Sequence, residues 1–417
     1  MKAYLISIGD ELLIGQTVNT NAAFIGSALS DINIDVIKSS VVADSLEEIL
    51  NEFHIAFQMA DVIIATGGLG PTHDDITRTA VIKFFDTELV MDEKVFEDLN
   101  EFFKSRGREL LEINKKQALI PKNSIPIRNT KGTSPGFWIE EKNKFFIVLP
   151  GVPIEMKEMM SNFVIPELKR KNKSQIITQR LILQTTGIPE SVLYERLGNL
   201  EELLDGGKLA FLPNQYGVKI RITVQAENEN ECSNKLVEIE QRIRGKVGRY
   251  IYARGEELLE ETIGKILTER NLTLAVAESC TGGFIASRIT DISGSSNYFE
   301  RGVVAYSNAA KVEILKVNED TIQKFGAVSP EVAMQMAEGI RAISGADIGL
   351  STTGIMGPTG ATYNKPLGLV YIGYCDEKVC YAKKFLFGND RIINKQRTSQ
   401  AALEMLRRNL LRIPDED

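Results

Sequence analysis

The stretch DVIIATGG (61–68) is apolar at almost every consecutive position and then breaks at two glycines. A strand that alternates apolar and polar residues leaves one face in water. A strand that is apolar throughout is covered on both faces, as in a parallel sheet flanked by helices. The surrounding segments fit that frame: KAYLISIG and DVIKSSVV have strand character, and NTNAAFIGSALSDI and SLEEILNEFHIAFQMA have helical spacing. Alternating strands and helices predict a βαβ arrangement with a parallel sheet. Ligands then lie beyond the carboxyl ends of the strands. Two glycine-bearing loops fall at such ends, GDELLIG (9–15) and TGGLGPTHDDITRTA (66–80). Further on come KGTSPGFWI and FFIVLPGVPIEMKEMM, where Pro153 suits a helix start with Glu155 in its first turn.

A basic run, ELKRKNKSQ (167–175), marks a linker. After it, QRLILQTTG, PESVLYERLGNL, KLAFLPN, VKIRITVQA and ECSNKLVEIEQRIRGKVG predict a small α+β unit ending near YIYARG. From about 255 the strand–helix alternation returns through LTLAVAES, GGFIASRIT, ERGVVAYS, PEVAMQMAEGIRAISG, ADIGLSTTG, PLGLVYIGYCD and KVCYAKKFLF, and a helix closes the chain. The expected class is α/β in three parts, 1–168, 175–253 and 256–413. At 417 residues the chain is long enough for several cores.

Composition narrows the chemistry. The net charge of −7 and a pI near 5.3 argue against a dominant nucleic-acid surface. No apolar run approaches the ~20 residues that span a bilayer, and MKAYLISIGDELLIG lacks a secretory h-region and cleavage site, so a cytoplasmic protein without a membrane partner is expected. The cysteines at 232, 280, 375 and 380 form no CxxC or Cys/His cluster, so reduced thiols and no structural zinc are expected. The only histidines, His54 and His73, lie in the first fifth of the chain. No Ser-His-Asp or Cys-His arrangement can be built within the rest of one subunit, and acid–base chemistry there falls to Lys, Tyr, Asp or Glu.

In TGGLGPTHDDITRTA, glycines let backbone N–H groups approach a phosphate, and Asp74 and Asp75 with nearby hydroxyls suit a hard divalent cation bridging to it. The plainer reading is a strand-to-helix turn with Asp75 near an N-cap. The run is neither GxxxxGK[ST] nor GxGxxG. In AVAESCTGGFIASRIT (275–290), Ser279 ends a strand just before a helix. Its hydroxyl there is either a nucleophile on an elbow or part of a phosphate cradle at the helix N-terminus. Neighbouring Cys280 reads as a small buried hydrophobe.

GDELLIGQTVNTNAAFI, TGGLGPTHDDITRTA, KGTSPGFWI and LPGVPIEM resemble, in order, the motifs of the MoaB/MogA-like domain at the front of the bacterial CinA proteins. AESCTGG, YSNAAK, GAVSPEVAMQMA, TTGIMGP and KPLG resemble the nicotinamide mononucleotide (NMN) deamidase domain of the CinA carboxyl half. The resemblance covers essentially the whole chain. It implies a MoaB/MogA-like parallel-sheet domain, a KH-like middle domain and a second α/β domain, with two hydrolase activities and a homodimer. The first activity is hydrolysis of ADP-ribose to AMP and ribose 5-phosphate, dependent on Mg, Co or Mn. Its implied metal ligands are Asp10, Asp74 and Asp75, and its substrate residues are Thr66, Gly67, Gly68, Gly70, Thr72, Lys131 and Gly151.

The second implied activity is deamidation of NMN to nicotinate mononucleotide and ammonia, without a cofactor. The resemblance makes Ser279 the nucleophile, Lys311 the base and Tyr306 a relay, with Thr281, Gly282, Gly283, Thr353 and Arg391 around the substrate. A lysine acts as base only where burial or charge lowers its pKa. Met356, Ala361 and Tyr363 depart from the family pattern, and their bulk is expected to narrow the pocket. GKVG (245–248) matches the GxxG loop of KH domains but stands between a helix and a strand, so helix termination, without nucleic-acid binding, is the expectation. The alternative class is a non-catalytic pterin- or nucleotide-binding protein acting in competence or the DNA-damage response.

Overall fold

The computed structural model describes residues 1–70, 76–172 and 176–414. The chain divides into two compact units, Met1–Gln179 with Gln225–Cys232, and Arg180–Val224 with Ser233–Asp417.

The first unit is built on β1 (Lys2–Ile8), β2 (Asp35–Val42) and β3 (Val62–Thr66), a small antiparallel pair β4 (Leu89–Met91) and β5 (Leu119–Pro121), and β6 (Ile125–Ile127), β7 (Gly136–Glu141) and β8 (Lys144–Leu149). The main sheet runs β2-β1-β3-β8-β7-β6. Its first four strands are parallel, and the β8–β7 and β7–β6 pairings that follow are antiparallel. The expected parallel sheet is present as these four strands, with an antiparallel addition at one edge. Lys142 and Asn143 both take positive φ and turn the chain in two residues, too few for the crossover that a parallel neighbour requires.

Successive side chains of β3 go to opposite faces, and both faces are covered. Ile63 and Ala65 pack with Ile49, Phe53 and Ala56 of the helix Leu46–Met59. Val62 and Ile64 pack with Ile25 and Leu29 of Thr20–Asp31 and with Met156 and Met159 of Pro153–Met159. This two-sided burial, worth roughly 1.5–3 kcal/mol per large aliphatic side chain, is why the strand reads as continuously apolar.

The second unit carries β9 (Ile177–Thr185), β10 (Lys208–Asn214), β11 (Gly217–Ala226) and β12 (Ile251–Arg254) in the order β10-β11-β9-β12. The GKVG run is the end of the helix Glu229–Val247, and the Lys246 ammonium donates to the carbonyl of Leu197, so no helix-joining loop forms there. Then come β13 (Leu274–Glu278), β14 (Phe299–Val304), β15 (Ile348–Gly354), β16 (Leu369–Cys375) and β17 (Cys380–Leu386) in the order β14-β13-β15-β16-β17. The first three in that order are parallel, and β16 and β17 are antiparallel. Helices Leu259–Glu269, Phe284–Thr290 and Arg391–Leu411 cover one face, and Pro330–Ser344 the other.

Cys375 and Cys380 stand opposite each other in the β16–β17 register and are disulfide-bonded, which corrects the expectation of four thiols. Cys232 and Cys280 remain thiols. Among the described residues, no helix is long and apolar enough to cross a membrane.

Candidate active site

Strand β13 is wholly buried and ends at Glu278. The five residues Ser279–Gly283 then turn the chain into the helix Phe284–Thr290, with Gly282 and Gly283 both at positive φ (62° and 90°), where a side chain would be strained. The turn is pinned to the neighbouring strand: the Ser279 N–H donates to the carbonyl of Thr352, and the Thr281 and Thr352 hydroxyls lie 2.7 Å apart. Glu278, which the sequence reading passed over, is buried and accepts the backbone N–H groups of Ile285 and Ala286. Its carboxylate occupies the helix N-terminus that seemed available to a substrate. The Thr281, Gly282 and Gly283 N–H groups carry no hydrogen bond among the described residues and remain as donors.

Lys311 comes from the helix Asn308–Glu313, capped by the Ser307 hydroxyl. Its side chain is 1% exposed, and Nζ lies 3.0 Å from Ser279 Oγ, 3.0 Å from the Ala305 carbonyl and 3.3 Å from the Tyr306 carbonyl. Burial pushes its pKa down. A neutral amine has two N–H groups and one lone pair. Two carbonyls and a hydroxyl match that form, with nitrogen accepting the serine O–H, and match the ammonium equally, with Nζ donating to all three oxygens. Cys280, one residue on, is also buried, and loss of solvation pushes its thiol up to about 12. A thiolate is therefore disfavoured there, and we expect Cys280→Ala to keep near-parental turnover in an assay of the NMN deamidation that the resemblance implies. A loss of more than tenfold at unchanged melting temperature would make the thiol the nucleophile.

The remaining residues divide. The Tyr306 phenol is exposed and accepts from Arg391, whose other terminal nitrogen donates to the Gly357 carbonyl. Tyr306 thus reaches Lys311 through its backbone carbonyl, and its phenol belongs to the arginine. The Thr353 hydroxyl is buried and donates to the Ala327 carbonyl, so it can only accept from a ligand. Lys395, absent from the sequence reading, brings Nζ to 3.6 Å from where a Cβ on Gly282 would stand. It lies four residues after Arg391 on the same helix, and that i,i+4 spacing of two cations was the legible signal.

In the first unit, parallel β1, β3 and β8 end side by side, and a cavity of about 490 Å³ opens beyond them. Thr66, Gly67, Gly68, Gly70 and Gly151 line it. Gly67 takes φ 108°, and a Cβ there would strike the Ile8 carbonyl, so only glycine allows β3 to end this close to β1. Asn21 donates to the Gly151 carbonyl at 2.7 Å, and its own Oδ1 is buried without a partner among the described residues. Glu155 also lines the cavity, and burial pushes its carboxyl up. Asp10 is exposed and off the lining; it and Asp44 exchange backbone N–H to carboxylate hydrogen bonds. Lys131 is exposed and does not line the cavity either. Thr72, Asp74 and Asp75 lie outside the described residues. Among the described residues, no group of three or more His, Cys, Asp or Glu side chains could hold a metal ion.

The chain matches the family pattern described as "Probable molybdopterin binding domain" over residues 4–170, "Damage-inducible protein CinA KH domain" over 180–253 and "CinA C-terminal domain" over 256–410. A competence-damage inducible family protein of Caldicellulosiruptor saccharolyticus is 43% identical over 411 residues, covering 99% of this chain and 100% of its own length. The chain belongs to the CinA family. A CinA-like protein of Kosmotoga olearia is 42% identical over 411 residues, covering 99% of each chain. The solved competence/damage inducible protein CihA of Agrobacterium tumefaciens is 39% identical, covers 37% of this chain and 93% of its own, and has a TM-score of 0.36.

In this CinA protein the departures from the family pattern do not crowd the site as expected. Met356 is buried in the core between β13, β15 and the closing helix, and its carbonyl accepts from Asn394. Tyr363 stands fully in solvent. Met356 therefore packs in the same core cluster as Cys280, whereas the Tyr363 side chain makes no buried contact.

Proposed function

We propose that the carboxyl-terminal site is an amidohydrolase acting on the carboxamide of NMN, with Ser279 as nucleophile and Lys311 as base. The observation that carries this reading is a buried amine 3.0 Å from a buried hydroxyl, with two carbonyls as its other partners. The lysine takes the serine proton as Oγ adds to the carboxamide carbon. Charge develops on the carboxamide oxygen, which the free N–H groups of Thr281, Gly282 and Gly283 can stabilise. The C–N bond then breaks, Lys311 returns the proton to the leaving nitrogen, and ammonia departs. Water, deprotonated by the same amine, hydrolyses the ester to nicotinate mononucleotide and regenerates Ser279. Arg391 and Lys395 supply positive charge for the substrate phosphate.

The pH dependence follows from the lysine. Its charged form is inactive as a base, so kcat/KM should rise with pH as Lys311 loses its proton. That rising limb should be centred below the ordinary lysine value, because burial lowers the pKa. A limb centred at or above 10.5, the value for an unperturbed lysine, would remove Lys311 from the role of base.

For the first unit we propose metal-dependent hydrolysis of ADP-ribose to AMP and ribose 5-phosphate. The support is the glycine-lined cavity at three parallel strand ends. Glu11, Asp44 and Glu155 line it but form no metal-holding group among the described residues, so they would face a hard cation only through water. Asp74 and Asp75 would hold that cation; Asp10 would require its Asp44 exchange to open. A bound divalent ion would offset charge on the pyrophosphate. The protein's part is to bind the phosphates on the Gly67–Gly70 backbone and orient the ligand against Asn21. A cytoplasmic homodimer completes the proposal. The rival is a non-catalytic nucleotide or pterin binder, and the test is product formation from NMN and, with metal, from ADP-ribose. Turnover of neither substrate would favour the rival.

A further inference from the structure

A second large cavity in the carboxyl-terminal unit lies on the other side of the closing helix and belongs to neither site above. It is a trough of about 1010 Å³ between the helix Arg391–Leu411 and strand β17, roofed by segments 186–190 and 213–218. Helix and strand run antiparallel along it. Asn394 donates to the Gly388 carbonyl at one end, and Asn409 donates to the Tyr381 hydroxyl at the other. From Arg397 to Arg412 the helix covers about 22 Å, so the trough is long as well as large. Its volume stands at the upper limit of the roughly 300–1,000 Å³ typical of small-ligand sites.

Two features give the trough a chemical preference. The first is charge. Among the described residues, Lys383, Arg397, Arg408 and Arg412 line it against Glu190 and Glu404, and Glu404 is already held by Arg407 and Arg408. The guanidinium groups of Arg397 and Arg412, at opposite ends, have no hydrogen bond or ion pair among the described residues. A cationic surplus in a chain of net charge −7 does not follow from composition. The second is aromatic surface. Phe385 and Phe387 stack at the Arg397 end with centroids 5.9 Å apart and planes within 8° of parallel. Tyr216 faces the trough from the roof. Phenylalanine faces beside an unpaired arginine suit a flat ring carrying an anionic group.

We propose that this trough is a binding site for an elongated molecule of the dinucleotide class, with a planar base on Phe385 and Phe387 and phosphate shared toward Arg397 and Arg412. A mononucleotide would reach only one of the two arginines. The length of the trough selects the longer ligand.

The test uses the full chain and etheno-NAD as fluorescent probe, read by anisotropy and by stoichiometry. Arg397→Glu combined with Arg412→Glu changes two exposed positions and should weaken binding more than tenfold, or remove one binding equivalent where the probe also enters the first unit. Lys at both positions should restore most of the affinity, and Phe385→Ala should reduce it independently. NMN turnover measured in parallel keeps this result separate from the amidase proposal, since binding at the trough stands or falls without it. Unchanged affinity and stoichiometry in the double Glu variant, at an unchanged melting temperature, would overturn the inference. The same unchanged binding with an altered sedimentation coefficient would assign the trough to contact between copies, and would overturn it equally.

Discussion

Ser279→Ala should lower the turnover of NMN by about 10³-fold or more while changing substrate affinity little, because the hydroxyl acts along the reaction path rather than in ground-state binding. Lys311→Met should lose a similar factor, and the double variant should be no worse than either single one, since nucleophile and base act as a unit. Steady-state kinetics with ammonia release and a separate binding isotherm check both statements. The phosphate-cradle reading of the same serine predicts the opposite pattern, weaker binding by about 1–3 kcal/mol with kcat largely kept. The geometry weighs against the cradle, because Glu278 already takes the Ile285 and Ala286 N–H groups. Lys311→Met also removes a buried amine that donates to two carbonyls, so its melting temperature belongs beside its rate. Full additivity of the two defects would reduce Lys311 to an electrostatic neighbour.

The second large effect separates the two units. Chelation of divalent ions, or Asp74→Asn or Asp75→Asn, should abolish ADP-ribose cleavage and leave NMN deamidation nearly intact. The carboxylates belong to the amino-terminal unit, whereas Ser279 and Lys311 belong to the other, and the amidase mechanism proposed for them uses no metal. Product analysis with and without added Mg, Co or Mn measures this directly. Equal loss of both activities in a folded variant would overturn the independence of the sites. Asp10→Asn offers a graded comparison. Its exchange with Asp44 is a structural role, so the variant should lower stability more than metal dependence.

Local pattern in the chain was enough for the alternation of β1 to β3 with their helices, the strand ends at Gly67 and Gly151, the helix beginning at Pro153 and the turn after Glu278, but not for the helix Glu93–Lys104 or strands β4 to β6. Each depends on properties carried within a few residues: side-chain periodicity, the φ restriction of proline and the φ freedom of glycine. Contacts between elements were not legible in that way. Ser279 and Lys311 are 32 positions apart, and their approach depends on how the helix Asn308–Glu313 packs at the end of β13; a family resemblance suggested the pair, but periodicity could not. Glu278 looked like one more residue of a strand until its carboxylate met the next helix. Tyr306 fits a proton relay by position in the chain, yet its phenol meets Arg391, 85 positions away. Lys395 enters the site because the closing helix starts beside the Ser279 turn, and Cys375 and Cys380 meet because β16 and β17 pair in that register. Short-range sterics act along the chain, but the burial that lowers the Lys311 pKa arises only when separate elements close around it.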